Sequence, residues 1–419
     1  MLLTSYAATA SELDSQRIDF ASGERAGQPS VTVDPREGFV VTWQERDGED
    51  SLLRFAVIDA SGAELRRGTI ARGRDWFVNG ADFPSLAVLD NGDWVSFTLR
   101  KSAPDTYAYD IHLQRSLDAG LSWGEPIRIH RDETRTEHGF VSMVAAGKDV
   151  VRLVWLDGRR MALDDDQATT EPADHDHASG DHGDPAAEHM TLRSAALDRK
   201  GVPFDEQELD DLTCACCQTD AVRLADGMLV AYRDRSRAEV RDIQLVEHRQ
   251  GQWSAPRRLH PDNWVIAGCP VNGPALAASD GRIGALWPTM ASGKMALQFS
   301  LPAAGAAGVE GESGNEDDHD EAPHATHTLT DADGELGRVD LVGWRAGRWL
   351  YTRLTSAEGS ASLQLTLLDH AGQPVRALEL AEKVGGFPRM AVQDEVALVV
   401  WTEQPAGPGS ARIGLARVW

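Results

Sequence analysis

Apolar and polar residues alternate along this chain in short runs, and the runs come in pairs. A small or polar start leads into a short apolar strand, a polar turn and then a strongly apolar strand that often ends in Trp or Tyr. Copies of the pair run from Gln28-Pro29-Ser30 to Trp43, from Phe83-Pro84-Ser85 to Phe97, and from Phe140-Val141-Ser142 to Trp155. They continue from Gln218-Thr219-Asp220 to Tyr232, Val271-Asn272-Gly273 to Trp287, Gly337-Arg338-Val339 to Tyr351, and Phe387-Pro388-Arg389 to Trp401. A third alternating strand follows each pair. Three of the turns after it share the form Asp-x-x-Gly (Asp59 to Gly62, Asp198 to Gly201, Asp369 to Gly372), in which Asp bonds the turn backbone and Gly supplies positive φ. A fourth strand, such as Pro126-Ile127-Arg128-Ile129, closes the unit.

Repeats of four antiparallel strands predict an all-β fold, a β-propeller of seven blades. The chain stops on a third-type strand, Ile413 to Trp419. Its missing partner is found in Arg17-Ile18-Asp19-Phe20, so pairing of the N- and C-terminal strands is expected to close the ring and remove the exposed edges.

Two stretches break the pattern, Asp164 to His189, rich in Asp and His, and Ala304 to Thr328, Gly/Ala-rich and then acidic. Both read as solvated insertions within one propeller domain spanning 11–419. Residues 1–10 read as a signal-peptide remnant. Ala8-Thr9-Ala10 before Ser11 has the small-x-small form of a cleavage site, and this points to a periplasmic or secreted protein.

Charge narrows the partners. With 66 acidic against 41 basic residues the net charge is −25, which repels phosphate backbones and makes nucleic acid an unfavourable partner. No apolar run is long enough to span a bilayer. A metal ion, a small-molecule ligand or a protein docked on the loop face remain.

The turn Ser116-Leu117-Asp118-Ala119-Gly120-Leu121-Ser122-Trp123 matches the Asp box, Ser-x-Asp-x-Gly-x-x-Trp, and Gly251-Gln252-Trp253 is an eroded second copy. In this the chain resembles the sialidase-like, BNR-repeat propellers. Sialidases usually have six blades, so that resemblance makes six the alternative count. It also implies an exo-glycoside hydrolase with an arginine triad, a Tyr/Glu pair and an Asp acid/base on the top face. Candidates are Arg233, Asp234, Glu239 and Arg241 after the second strand of blade four, and Arg389 at the start of blade seven. There is no Arg-Ile-Pro near the start, and the chain has only five tyrosines.

The four cysteines are clustered. Cys214, Cys216 and Cys217 occupy the loop into blade four, and Cys269 the loop into blade five. Propeller geometry puts both loops on one face, where His138 and the insertion's His175, His177, His182 and His189 also converge. Sulfur with imidazole suits copper(I) or zinc, and the compact Cys-x-Cys-Cys, lacking the Cys-x₂-Cys of structural zinc sites, favours copper. Structural disulfides in an exported protein are the bland alternative, and a redox-active thiol is a third. The expected function is therefore a metal-binding propeller, with the hydrolase and a non-catalytic binding propeller as competing readings.

Overall fold

The computed structural model describes residues 13–23, 25–162, 189–302, 326–357, 359–404 and 410–419. His175, His177, His182 and residues 1–12 lie outside these. Among the described residues the strands form seven antiparallel sheets, one for each repeat. Blade one is Gly27–Asp34, Gly38–Asp47, Asp50–Ile58 and Glu64–Gly73. Blade two is Leu86–Val88, Trp94–Lys101, Tyr109–Ser116 and Ile127–Arg128, and blade three is His138–Ala145, Val151–Asp157, Met190–Leu197 and Pro203–Thr213. Blade four is Asp220–Leu224, Gly227–Arg233, Ile243–Arg249 and Gln252–Trp253, with Arg257–Arg258 pairing on the same third strand. Blade five is Ala275–Ser279, Arg282–Thr289, Ala296–Ser300 and Thr326–Thr330. Its fourth strand takes in the last three residues of the stretch read as the second insertion.

Blade six is Glu335–Trp344, Arg348–Ala357, Ser360–Leu368 and Pro374–Glu382. Blade seven takes Val384–Gln393, Val396–Glu403 and Arg412–Val418 from the C-terminal end and Ser15–Ile18 from the N-terminal end, with Ser15 opposite Val418. This is the expected closure. First strands of successive blades contact one another around the whole circle, and Val384–Gln393 returns against Gly27–Asp34.

The alternating pattern sorts side chains between neighbouring blades. Trp43, Trp94, Trp155, Trp287, Trp349 and Trp401, with Tyr232 in blade four, place one large, fully buried ring on each second strand. An aromatic ring removes a large apolar area from water, which makes these rings the main adhesive between sheets. The Asp-x-x-Gly turns behave as their chemistry requires. Asp369 Oδ1 accepts from the Ala371 and Gln373 amides at 2.9 and 2.8 Å, and Gly372 sits at φ 85°. In the turn Ser116–Trp123, Ser116 Oγ accepts from the Gly120 amide at 2.7 Å and Asp118 Oδ1 from the Ser122 amide at 2.8 Å. Trp123 packs against the core cluster that holds Phe55 and Trp94.

Around the axis the blades are joined by polar clasps. Asp82 accepts the Phe140 amide (2.8 Å), Asp220 the Leu276 amide (2.7 Å), Asn272 the Arg338 amide (2.8 Å) and Asp340 the Met390 amide (2.6 Å). Thr219 donates to the Phe140 carbonyl at 2.8 Å. Phe140 and Arg338 have φ of 54° and 53°, a left-handed conformation unfavourable for a side chain with Cβ. A strand bulge sits at each, and the clasp from the preceding blade satisfies the amide that the bulge takes out of the ladder.

Candidate functional site

The cysteine loops are brought together as the repeat arithmetic requires. Cys214–Cys217 follows Pro203–Thr213, Cys269 precedes Ala275–Ser279, and the two loops lie side by side with Cys216 bonded to Cys269 in a disulfide. Cys214 and Cys217 are free and buried. Their sulfurs are 3.5 Å apart, and Cys214 Sγ is 3.9 Å from Cys216 Sγ. Arg241 Nη1 donates to Cys214 Sγ at 3.2 Å. The hydrogen bond from Cys217 lowers the Cys214 pKa. The charges of Arg241 and Arg233 add to that and outweigh burial. Burial pushes the Cys217 thiol well up, so the surroundings favour a thiolate at Cys214 over one at Cys217.

Arg233, Asp234, Glu239 and Arg241 gather around this loop, as the sequence placed them, but as packing and ion pairs. Arg233 is 1% exposed and spends its guanidinium on three carbonyls: Asn272 (3.0 and 2.9 Å), Arg241 (2.7 Å) and Pro288 (2.7 Å). Its other face stacks on Trp264 at 4.8 Å. Glu239 accepts from Arg235 and Arg241, both at 2.6 Å. Burial, then the neighbouring Asp210, raises Asp234 to about 6. The cluster therefore braces the thiols from behind. Trp76, Phe77 and Trp264, in the loops ahead of blades two and five, are buried.

Arg389 faces elsewhere, into an axial cavity of about 250 Å³ that Asp82, Phe83, Asp220 and Asp340 also line. It bonds Asp340 at 3.3 Å and lies over the Phe83 ring at 5.1 Å. Beside the cavity, the Tyr109 hydroxyl stands 2.8 Å from Asp82 and 2.7 Å from Glu137. One hydroxyl has one proton to give, so one of the two carboxyls must itself be protonated. Burial raises both, Asp82 to about 7 and Glu137 to about 7.

In the unfolded chain both carboxyls would ionise near pH 4, so between about pH 4 and 7 the folded state holds more protons and stability falls as pH rises. Asp82→Asn preserves the bonds to Phe140 and Tyr109 without the charge. Relative to wild type it should stabilise by about 1–3 kcal/mol at pH 8 and by little at pH 5. Denaturant midpoints at the two pH values check this, and an equal difference at both would discard it.

His138 is not beside the sulfurs. It is fully buried in a second cluster, its ring stacked on His130 with 3.9 Å between centroids and 3° between planes. Nδ1 faces the Tyr109 and Thr136 carbonyls at 3.0 and 3.1 Å, and Nε2 faces Asp132 at 3.1 Å. Acceptors at both nitrogens require an imidazolium. Burial opposes that charge, but Asp132 and Asp157 outweigh it and raise the pKa. His189 is buried beside Arg160, 3.4 Å away. Among the described residues no histidine joins the sulfur group.

The His130–Asp132 part of this cluster had a signal in the repeats. Ile129-His130-Arg131-Asp132 and Leu259-His260-Pro261-Asp262 occupy the same place after blades two and four. In each, His Nδ1 meets the Asp two residues on, at 2.8 and 2.7 Å.

Fold and site together define a seven-bladed β-propeller that holds a buried thiol pair under an inter-blade disulfide. No protein-family model matches the sequence, and no curated protein matches it. Solved structures similar to it include the polysaccharide lyase Uly1, with TM-score 0.51 and 8% identity over 96% of this chain and 91% of that one. A protein of unknown function from Dyadobacter fermentans DSM 18053 gives 0.50 and 11% over 97% and 98%. A mutant of the NanB sialidase from Streptococcus pneumoniae gives 0.47 and 8% over 97% and 92%. At these identities the likeness is one of fold.

Proposed function

We infer that the cysteine loop is a soft-metal centre, with copper(I) as its ion and Cys214 and Cys217 as its ligands. The supporting observation is the pair of free, buried thiols 3.5 Å apart with a guanidinium on one of them. Thiolates select copper(I), which is satisfied by few ligands, whereas structural zinc takes four. Two thiolates around copper(I) leave one negative charge, and Arg241 supplies the balancing cation. Capture of ions by the insertion histidines His175, His177 and His182, and work in the periplasm or outside the cell, belong to the same proposal. A disulfide between the two loops fits an oxidising compartment.

Purified protein with its disulfide intact, titrated anaerobically with copper(I) against a competing chelator, is expected to retain one ion per chain. Its two alkylatable thiols should be protected when the ion is bound. A chain that keeps two reactive thiols and takes up no copper(I) sinks the reading.

A second reading places an exo-glycoside hydrolase in the axial cavity. It is supported by Arg389 and Asp82 in the lining and by the adjoining Tyr109–Glu137 pair. Full burial of Tyr109 counts against it. Turnover of a fluorogenic sialoside that Arg389→Ala abolishes would favour it over the metal centre.

A further inference from the structure

We propose that the Cys216–Cys269 disulfide is a redox gate on the cysteine centre: closed, it leaves two sulfurs for a monovalent soft ion, and reduced, it completes a four-sulfur site for a divalent tetrahedral ion. This rests on the reading of Cys214 and Cys217 as metal ligands and adds the regulation of that site.

Distances carry the argument. Around a tetrahedral ion with metal–sulfur bonds of about 2.3 Å, neighbouring sulfurs stand about 3.8 Å apart. Cys214 Sγ is 3.5 Å from Cys217 Sγ and 3.9 Å from Cys216 Sγ, so three sulfurs already approach the corners of such a site. Cys269 is tied to the third corner and to nothing else in the group. Opening that one bond frees Cys216 as a ligand and frees Cys269 on the facing loop, which turns in to supply the fourth corner.

Exposure and charge agree with a gate. Cys214 and Cys217 are buried, Cys216 is half-buried and Cys269 is exposed, so a reductant reaches the outer sulfur without parting the blades. Four thiolates around a divalent ion carry two negative charges. Arg241 touches Cys214, and Arg233 lies close enough for its charge to act on both buried sulfurs. Arg233, and Arg241 shared with Glu239, thus offset part of the charge of the four-sulfur state.

The step is thiol–disulfide exchange with an external dithiol. One thiolate of the dithiol attacks the Cys269 sulfur, and Cys216 leaves as a thiolate. The second thiolate of the dithiol then attacks the mixed disulfide, and Cys269 leaves as a thiolate. The dithiol departs as a disulfide, two electrons stay on the protein, and the dithiol's two protons pass to solvent as the new thiolates take the metal.

The test compares wild-type protein with two titratable thiols and protein reduced to four, freed of reductant and titrated anaerobically with cobalt(II) and with copper(I). The oxidised form is expected to bind one copper(I) and no cobalt(II). The reduced form is expected to bind one cobalt(II) with the intense visible bands of a tetrahedral thiolate site, and zinc(II) should displace it. Cys269→Ser, an exposed change that spares the packing, should keep copper(I) and bind cobalt(II) roughly 100-fold more weakly than reduced wild type. Cobalt(II) bound equally by both wild-type forms, or by neither while the oxidised form still takes copper(I), overturns the gate and leaves the metal centre standing. Copper(I) bound by neither form overturns both.

Discussion

Cys214→Ser is expected to abolish copper(I) retention, weakening binding by roughly 1000-fold or more, with little change in folding stability. Cys214 is the middle of the sulfur group, 3.5 Å from Cys217, 3.9 Å from Cys216 and 3.2 Å from Arg241. Serine nearly fills the same space, so the loop has no cavity to collapse into, but a hydroxyl is a poor ligand for a soft ion. Cys217→Ser should do the same. Arg241→Met, which keeps both sulfurs and removes the counter-charge, should cost only about tenfold. Competition with a chromophoric copper(I) chelator reads all three. Undiminished binding by Cys214→Ser would mean that the ion, if any, sits elsewhere.

Arg233→Ala is expected to destabilise the propeller by about 3–5 kcal/mol, the cost of breaking a buried, charge-assisted hydrogen-bond network. The guanidinium joins the Asn272 carbonyl ahead of blade five, the Arg241 carbonyl of blade four and the Pro288 carbonyl within blade five. Truncation strands three carbonyls away from water, opens a void against Trp264 and loosens the two loops that the disulfide joins. Arg233→Lys should restore only part, because an ammonium cannot span three carbonyls in a planar fork. Chemical denaturation of the three proteins measures this. A loss of activity toward a sialoside at unchanged stability would instead restore Arg233 to the catalytic role that its place in the sequence suggested.

The contrast between Arg233 and Arg389 shows how far composition at a strand end can be read. Both are arginines of blade strands, Arg233 ending Gly227–Arg233 and Arg389 inside Val384–Gln393. One is enclosed by carbonyls and the other looks into the axial cavity. No local pattern distinguishes them, because the difference lies in which neighbouring blade covers each guanidinium. His138 makes the same point. Its position ahead of blade three was readable, but its partners Asp132, Asp157 and His130 come from the end of blade two and the second strand of blade three. They hold it in a cluster separate from the sulfurs.

What the amino-acid sequence determined alone was the scaffold: seven repeats, the Asp-x-x-Gly turns and a ring closed by pairing of the two chain ends, read at Arg17–Phe20 and formed two residues earlier by Ser15–Ile18. Strand alternation and turn chemistry act over two to four residues, so they are written locally. It also placed the two cysteine loops side by side, because repeat counting makes adjacent blades adjacent in space. Which sulfurs pair was decided only by the tertiary structure. Cys216 and Cys269 are 53 residues apart in sequence, and a disulfide forms on the few ångströms by which one of three neighbouring sulfurs approaches the facing loop. That choice leaves Cys214 and Cys217 as the free pair under Arg241.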